Sequence, residues 1–145
     1  MELICVVVIL GILAAFAGPK FLDSPAFDQT GYADTLASAI RLSEAEAAAS
    51  DCPVRLTITP GAGYQAMMPS NANCQGTYTR PVPTADAGGA PPSDADVRSA
   101  VTLTFQPGGA VLGRTTSITI VGTPANGVTP IVLTIDPNSG YVTES

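Results

Sequence analysis

Residues 3–18 read Leu3-Ile4-Cys5-Val6-Val7-Val8-Ile9-Leu10-Gly11-Ile12-Leu13-Ala14-Ala15-Phe16-Ala17-Gly18, without a charge, a polar side chain or a proline. As a helix this run spans roughly 24 Å, a little short of a hydrocarbon core about 30 Å thick, and Met1 and Glu2 bring it near the minimum. Three readings compete for it. A secretory signal peptide explains Ala15-Phe16-Ala17 as a cleavage site but fails at Glu2, which stands where a basic n-region belongs. A buried core helix fails because nothing else in the chain could surround a cylinder that is apolar all round. A membrane-inserted helix that stays in the mature protein fits best. Glu2 at its edge is then either simply solvated or in need of a cationic partner once the helix packs in a dry environment.

Outward from this run the code changes twice. Gly18-Pro19-Lys20-Phe21 follows it, and Pro19 with Gly11 and Gly18 makes 11–19 the weak part of an otherwise continuous helix. Pro25 and Gly31 weaken the next turns. Tyr32, Leu36, Ile40 and Ala47 then recur at steps near four and seven, with Asp34, Arg41, Glu44 and Glu46 mostly turned away. Asp51-Cys52-Pro53 ends the helix. From there apolar and polar residues alternate, predicting strands at 54–59, 64–68, 101–105, 117–121, 131–135 and 141–143, with a short partner at 110–112. Pro60-Gly61-Ala62-Gly63 and Asp136-Pro137-Asn138-Ser139-Gly140 read as turns. Residues 69–99 are rich in Pro, Gly, Ser, Asn and Asp without periodicity and read as a long irregular loop. Phe105, Tyr64 and Tyr141 are expected in the core. The fold class is α+β: a long N-terminal helix, bent or loosened near Pro19, laid against a C-terminal antiparallel sheet. The division expected is an apolar helix over 1–23 and a head over 24–145, made of an amphipathic helix at 24–51 and the sheet at 53–145.

Composition narrows the chemistry. The 145 residues hold six Lys+Arg, twelve Asp+Glu and no His, a formal net charge of −6. Without His, a Ser-His-Asp or Cys-His arrangement and a His-ligated metal are excluded, and no nucleophile–base pair offers enzymatic activity. The negative balance argues against a partner held through phosphates, so no nucleic acid is expected. No cofactor motif is present. Of three cysteines, Cys5 lies within the apolar run and reads as a small packing residue. Cys52 and Cys74 remain as a pair, without CxxC spacing, and read as a structural disulfide formed outside the cytoplasm.

The N-terminal residues carry a resemblance. Glu2-Leu3-Ile4, the Val/Ile run, Leu10-Gly11-Ile12-Leu13-Ala14-Ala15 and Pro19-Lys20-Phe21 resemble the leading helix of type IV pilins and type II secretion pseudopilins, and Pro19-Lys20-Phe21 is similar to pilins of the mannose-sensitive haemagglutinin type. Residues 39–47, Cys52-Pro53-Val54-Arg55-Leu56-Thr57-Ile58, Gly63-Tyr64 and the ending 134–142 resemble minor pilins and H-type pseudopilins. One departure stands out. The family's glutamate follows a basic leader and several mature residues, so those segments are expected before Met1, and the processed amine is not Met1.

The resemblance implies a pilin fold and a structural subunit of a type IV pilus or pilus-like filament, polymerising through the N-terminal helix. Glu2 would neutralise the N-terminal amine of a neighbouring subunit and so set the register, while the helix between Gly11 and Pro19 would unwind in the assembled filament. The implied partners are other copies of the chain, the inner membrane before assembly, and an assembly platform with its motor. The location is the bacterial inner membrane and then a cell-surface filament. Asp94 and Asp96, with Asp86 or Asp136, could offer oxygens to calcium as loops of some pseudopilins do, although without an EF-hand pattern they read more readily as a solvated acidic loop. Arg80, Arg98 and Arg114 are scattered, unlike the basic tips of pilins that capture DNA. Two alternatives stay open: a minor pseudopilin of a type II secretion system, and a membrane-anchored extracytoplasmic binding module that does not polymerise.

Overall fold

The structure, a computed structural model, describes residues 4–12, 25–112, 117–122 and 129–145. Residues 4–12 form helix α1 and Pro25–Ser50 form helix α2. The expected bend or melted segment between Gly11 and Pro19 falls almost wholly outside the described residues. The expected stripe of α2 faces inward: Tyr32, Leu36, Ile40 and Ala47 are buried, and Ala33, Ala37 and Ala39 widen it. Ser43 lies in the same buried face and satisfies its hydroxyl by donating to the Ala39 carbonyl at 2.7 Å, which lets a polar residue sit there. Asp51 takes a left-handed conformation at φ 53°, closing the helix before Pro53.

Among the described residues ten strands follow, in two sheets. The first has the order β3–β2–β1–β6–β7, from β1 (Val54–Thr59), β2 (Gly63–Pro69), β3 (Tyr78–Pro81), β6 (Val101–Phe105) and β7 (Val111–Leu112), and β4 (Gly88–Gly89) also pairs with β2. The second has the order β10–β9–β8–β5, from β5 (Ala95–Val97), β8 (Ser117–Gly122), β9 (Ile131–Ile135) and β10 (Val142–Glu144). All pairings are antiparallel. α2 packs across both sheets, touching β1 on one side and β8, β5 and β9 on the other. Val54, Leu56, Ile58, Leu103 and Phe105 from the first sheet and Ile118, Ile120, Leu133 and Ile135 from the second close around its stripe. The alternation seen in the sequence is the alternation of burial: β1 reads buried inward at Val54, Leu56 and Ile58, with Arg55, Thr57 and Thr59 directed away.

Three expectations need correction. Residues 69–99 are not an irregular loop throughout; they contain β3, a 3₁₀ turn at Ala85–Ala87, β4 and β5. These strands are two to four residues long, too short for a period-2 pattern, and they exist because β2 and β8 offer them edges. Pro81 is accommodated because β3 lies at an edge. The single sheet is two, because β5 pairs with β8 and begins a separate ladder. Tyr141 is 66% exposed, not core. Gly140, at φ 72°, turns the chain so that Val142 points inward in its place.

Two hydrogen bonds stitch the sheets together. The Gly61 N–H, in the β1–β2 turn, donates to Asp96 Oδ2 on β5 at 2.7 Å, and the Val111 N–H on β7 donates to the Pro137 carbonyl in the β9–β10 turn at 2.8 Å. In that turn the Asn138 and Ser139 N–H groups donate to the Asp136 carboxylate, holding its pKa below the usual value.

Gly63 is where the backbone leaves no room. It is buried at φ 86°, and a side chain there would collide with the Gly89 carbonyl oxygen of β4. Gly63→Ala is expected to lower stability by about 2 kcal/mol or more in urea unfolding. Gly108→Ala, where nothing lies within 4 Å, should leave the midpoint nearly unchanged.

Candidate assembly surface

The apolar N-terminal run presents a surface rather than a pocket. Every residue of α1 is exposed, including Ile4, Val6, Val7, Val8, Ile9, Leu10 and Ile12. Cys5 is a free, exposed thiol. Nine residues rise about 14 Å, and none of the described helices is long and apolar enough to cross a membrane. Large apolar side chains bare over a whole helix must be covered by lipid or protein in the working molecule. Of the expected assembly residues, Gly11 is helical, with nothing among the described residues within 4 Å of where a side chain would begin, while Glu2 and Pro19 lie outside the described residues.

The N-terminal end of α2 is fastened by a residue that the sequence reading passed over. Gln29 is fully buried, and its Nε2 donates to the carbonyls of Ile120 at 3.0 Å and Thr129 at 3.1 Å, tying the helix to β8 and the approach to β9. Its Oε1 has no partner among the described residues. The signal was available: Gln29 lies three residues before Tyr32 and seven before Leu36, on the stripe's own spacing. Tyr32 beside it is buried with its hydroxyl unpaired among the described residues. Burial pushes this phenol up to about 12, helped by the charges of Asp96 and Tyr64. Burial also raises Tyr64, with Asp86 adding to it.

The acidic candidates do not converge. Asp96 spends both oxygens on backbone donors, Oδ2 on Gly61 and Oδ1 on Val97, each at 2.7 Å. Among the described residues no three His, Cys, Asp or Glu side chains gather as a metal site. Asp96 therefore acts as a clamp between the sheets. A second interaction missed in the sequence is Arg55 on β1, whose guanidinium stacks 3.8 Å from the Tyr78 ring centroid on β3.

At the far end of α2 the expected pair is joined: Cys52 and Cys74 form a disulfide with Cα atoms 5.1 Å apart. It pins the 70–77 hook, in which the Ser70 N–H donates to Thr77 and the Cys74 N–H to Asn71, onto the helix terminus.

A helix laid across antiparallel sheets, with a bare apolar helix before it, is a pilin-like architecture. Residues 32–139 match the family described as type II transport protein GspH, a family of type II secretion pseudopilins, and the chain belongs to that family. No curated protein and no solved structure matches it. The match begins at Tyr32, the first residue of the expected stripe, and ends at Ser139 in the β9–β10 turn.

Two measurements follow from this geometry. A phenol whose folded pKa lies above its unfolded value near 10 stabilises the fold fully below pH 10, and this contribution is lost as pH rises toward about 12. Tyr32→Phe should remove that loss in urea titrations from pH 8 to 12. At pH 7 it should be as stable as the parent or more so, because it deletes a buried hydroxyl with no partner among the described residues. Cys52→Ala with Cys74→Ala should cost about 3 kcal/mol, read as a lower urea midpoint with the parent insensitive to mild reductant.

Proposed function

We propose that this chain is a minor pseudopilin: a structural, non-catalytic subunit of the type II secretion pseudopilus, held in the inner membrane by its apolar N-terminal helix and then packed with other pseudopilin subunits through it. The observation that carries this reading is the pairing of a GspH-family head with an apolar helix whose described residues are all exposed. A helix of this kind suits two solvents in turn, lipid before assembly and neighbouring helices afterwards. The family match favours a periplasmic pseudopilus over a surface pilus. In this reading residues 1–23 form the membrane and filament-core segment and 24–145 the head. Glu2 sets register, since an unpaired carboxylate in a dry bundle costs several kcal/mol and only a correctly staggered neighbour relieves it. Gly11 and Pro19 bound the stretch that loosens on assembly. The motor that extracts the subunit is a partner, because the chain carries no nucleotide motif of its own.

Glu2→Ala tests the reading in a type II-secreting strain that lacks its own copy. The head should fold normally, with the disulfide formed and an unchanged thermal midpoint, while incorporation into pseudopili and secreted output fall by about tenfold or more. Undiminished incorporation would remove the register role. A head that folds and functions without ever co-purifying with pseudopilins would favour a non-polymerising anchored module.

A further inference from the structure

On the face of the first sheet turned away from α2, one register row runs Leu112, Thr104, Arg55, Met67 and Pro81, across β7, β6, β1, β2 and β3. Residues directly opposed on neighbouring strands share a face. Arg55 is the charged member of this row, and the adjoining row of Thr102, Thr57 and Gln65 is neutral throughout. Arg55 is half-buried, with its guanidinium 3.8 Å from the Tyr78 ring centroid. Its Nε is buried and has no partner among the described residues. The ring attracts the charge but accepts no hydrogen bond of ordinary strength. A cation held partly out of water beside neutral neighbours is costly until an anion reaches it.

The stack also fixes the plane of the guanidinium, and its N–H groups lie in that plane. With Nε enclosed, the two terminal amino groups are the donors that another molecule can meet, and together they form a fork. We propose that this sheet face docks a protein partner that presents an aspartate or glutamate carboxylate end-on to Arg55, while the partner's apolar side chains cover Met67, Pro81 and Leu112. Charge complementarity selects the occupant: a planar fork matches a carboxylate in two parallel hydrogen bonds. The setting suits a protein surface, since Tyr, Met and Arg are enriched where such surfaces meet, and Leu112 is 60% exposed beside them. An anionic bilayer is the rival occupant. It draws clustered cations, whereas these two rows hold one, on a chain of net charge −6. The inference does not rest on the filament reading.

The full chain, expressed from its own locus with p-benzoylphenylalanine in place of the exposed Thr57, allows a direct test. Illumination should give an adduct with a protein, attached within a few residues of an Asp or Glu. Arg55→Met should cut its yield by about tenfold or more, with the thermal midpoint of the purified chain unchanged or raised, because the orphaned donor is gone. Arg55→Glu should also lose the adduct, and replacing the partner's carboxylate residue by Arg should restore it. An adduct with lipid alone, a yield indifferent to Arg55→Met, or no rescue by the exchanged charges would overturn the proposal. So would a lowered midpoint in Arg55→Met with the adduct retained, which would make the stack a clamp on β3 only. Absence of any adduct in cells where the chain still enters pseudopili would overturn it and leave the filament reading standing.

Discussion

The two sheets meet through α2. Each ladder buries one face against the helix, and the Asp96–Gly61 and Val111–Pro137 hydrogen bonds add direct links between them. Leu36 and Ile40 touch solvent nowhere, so a truncation such as Leu36→Ala would open a cavity felt by both sheets at once, in the range of about 2–5 kcal/mol. The packing explains why this helix can be built from weak material. It carries Gly31, five Ser and Thr that turn their hydroxyls back on the preceding turn, and a run of alanines. In isolation it would be marginal; two sheets hold it in place.

The long strands were legible because each has one wet and one dry face. Val54–Thr59, Val101–Phe105 and Ile131–Ile135 begin and end where their alternation does. The same reasoning misread 69–99, where Tyr78–Pro81, Gly88–Gly89 and Ala95–Val97 are strands only by virtue of the neighbours they pair with. Pairing is a tertiary fact, and a two-residue strand of glycines leaves no trace in composition. Tyr141 was placed wrongly because the turn before it contains a left-handed Gly140, which shifts which residue faces inward.

At the candidate surface the balance is similar. The apolar helix and the cysteine pair follow from residue type alone. Gln29 was missed because a polar residue on an apolar stripe looks like the stripe's end, although its amide anchors the helix to β8. Asp96 was noticed for its charge and used by the fold for its geometry, as an acceptor joining the two sheets. An aspartate can serve either purpose, and only the position of the donors decides.

α2 is fixed at both ends, by Gln29 near its beginning and by the Cys52–Cys74 bond just past its finish. A pull applied to the first turn of α2 would load the head along the helix axis. With its two extremities held, the rod cannot peel away one turn at a time; the load is shared as shear along the whole interface, and many side chains must slide together before any can leave. Resistance to traction of this kind is a property of where the fasteners sit, more than of how strong either one is.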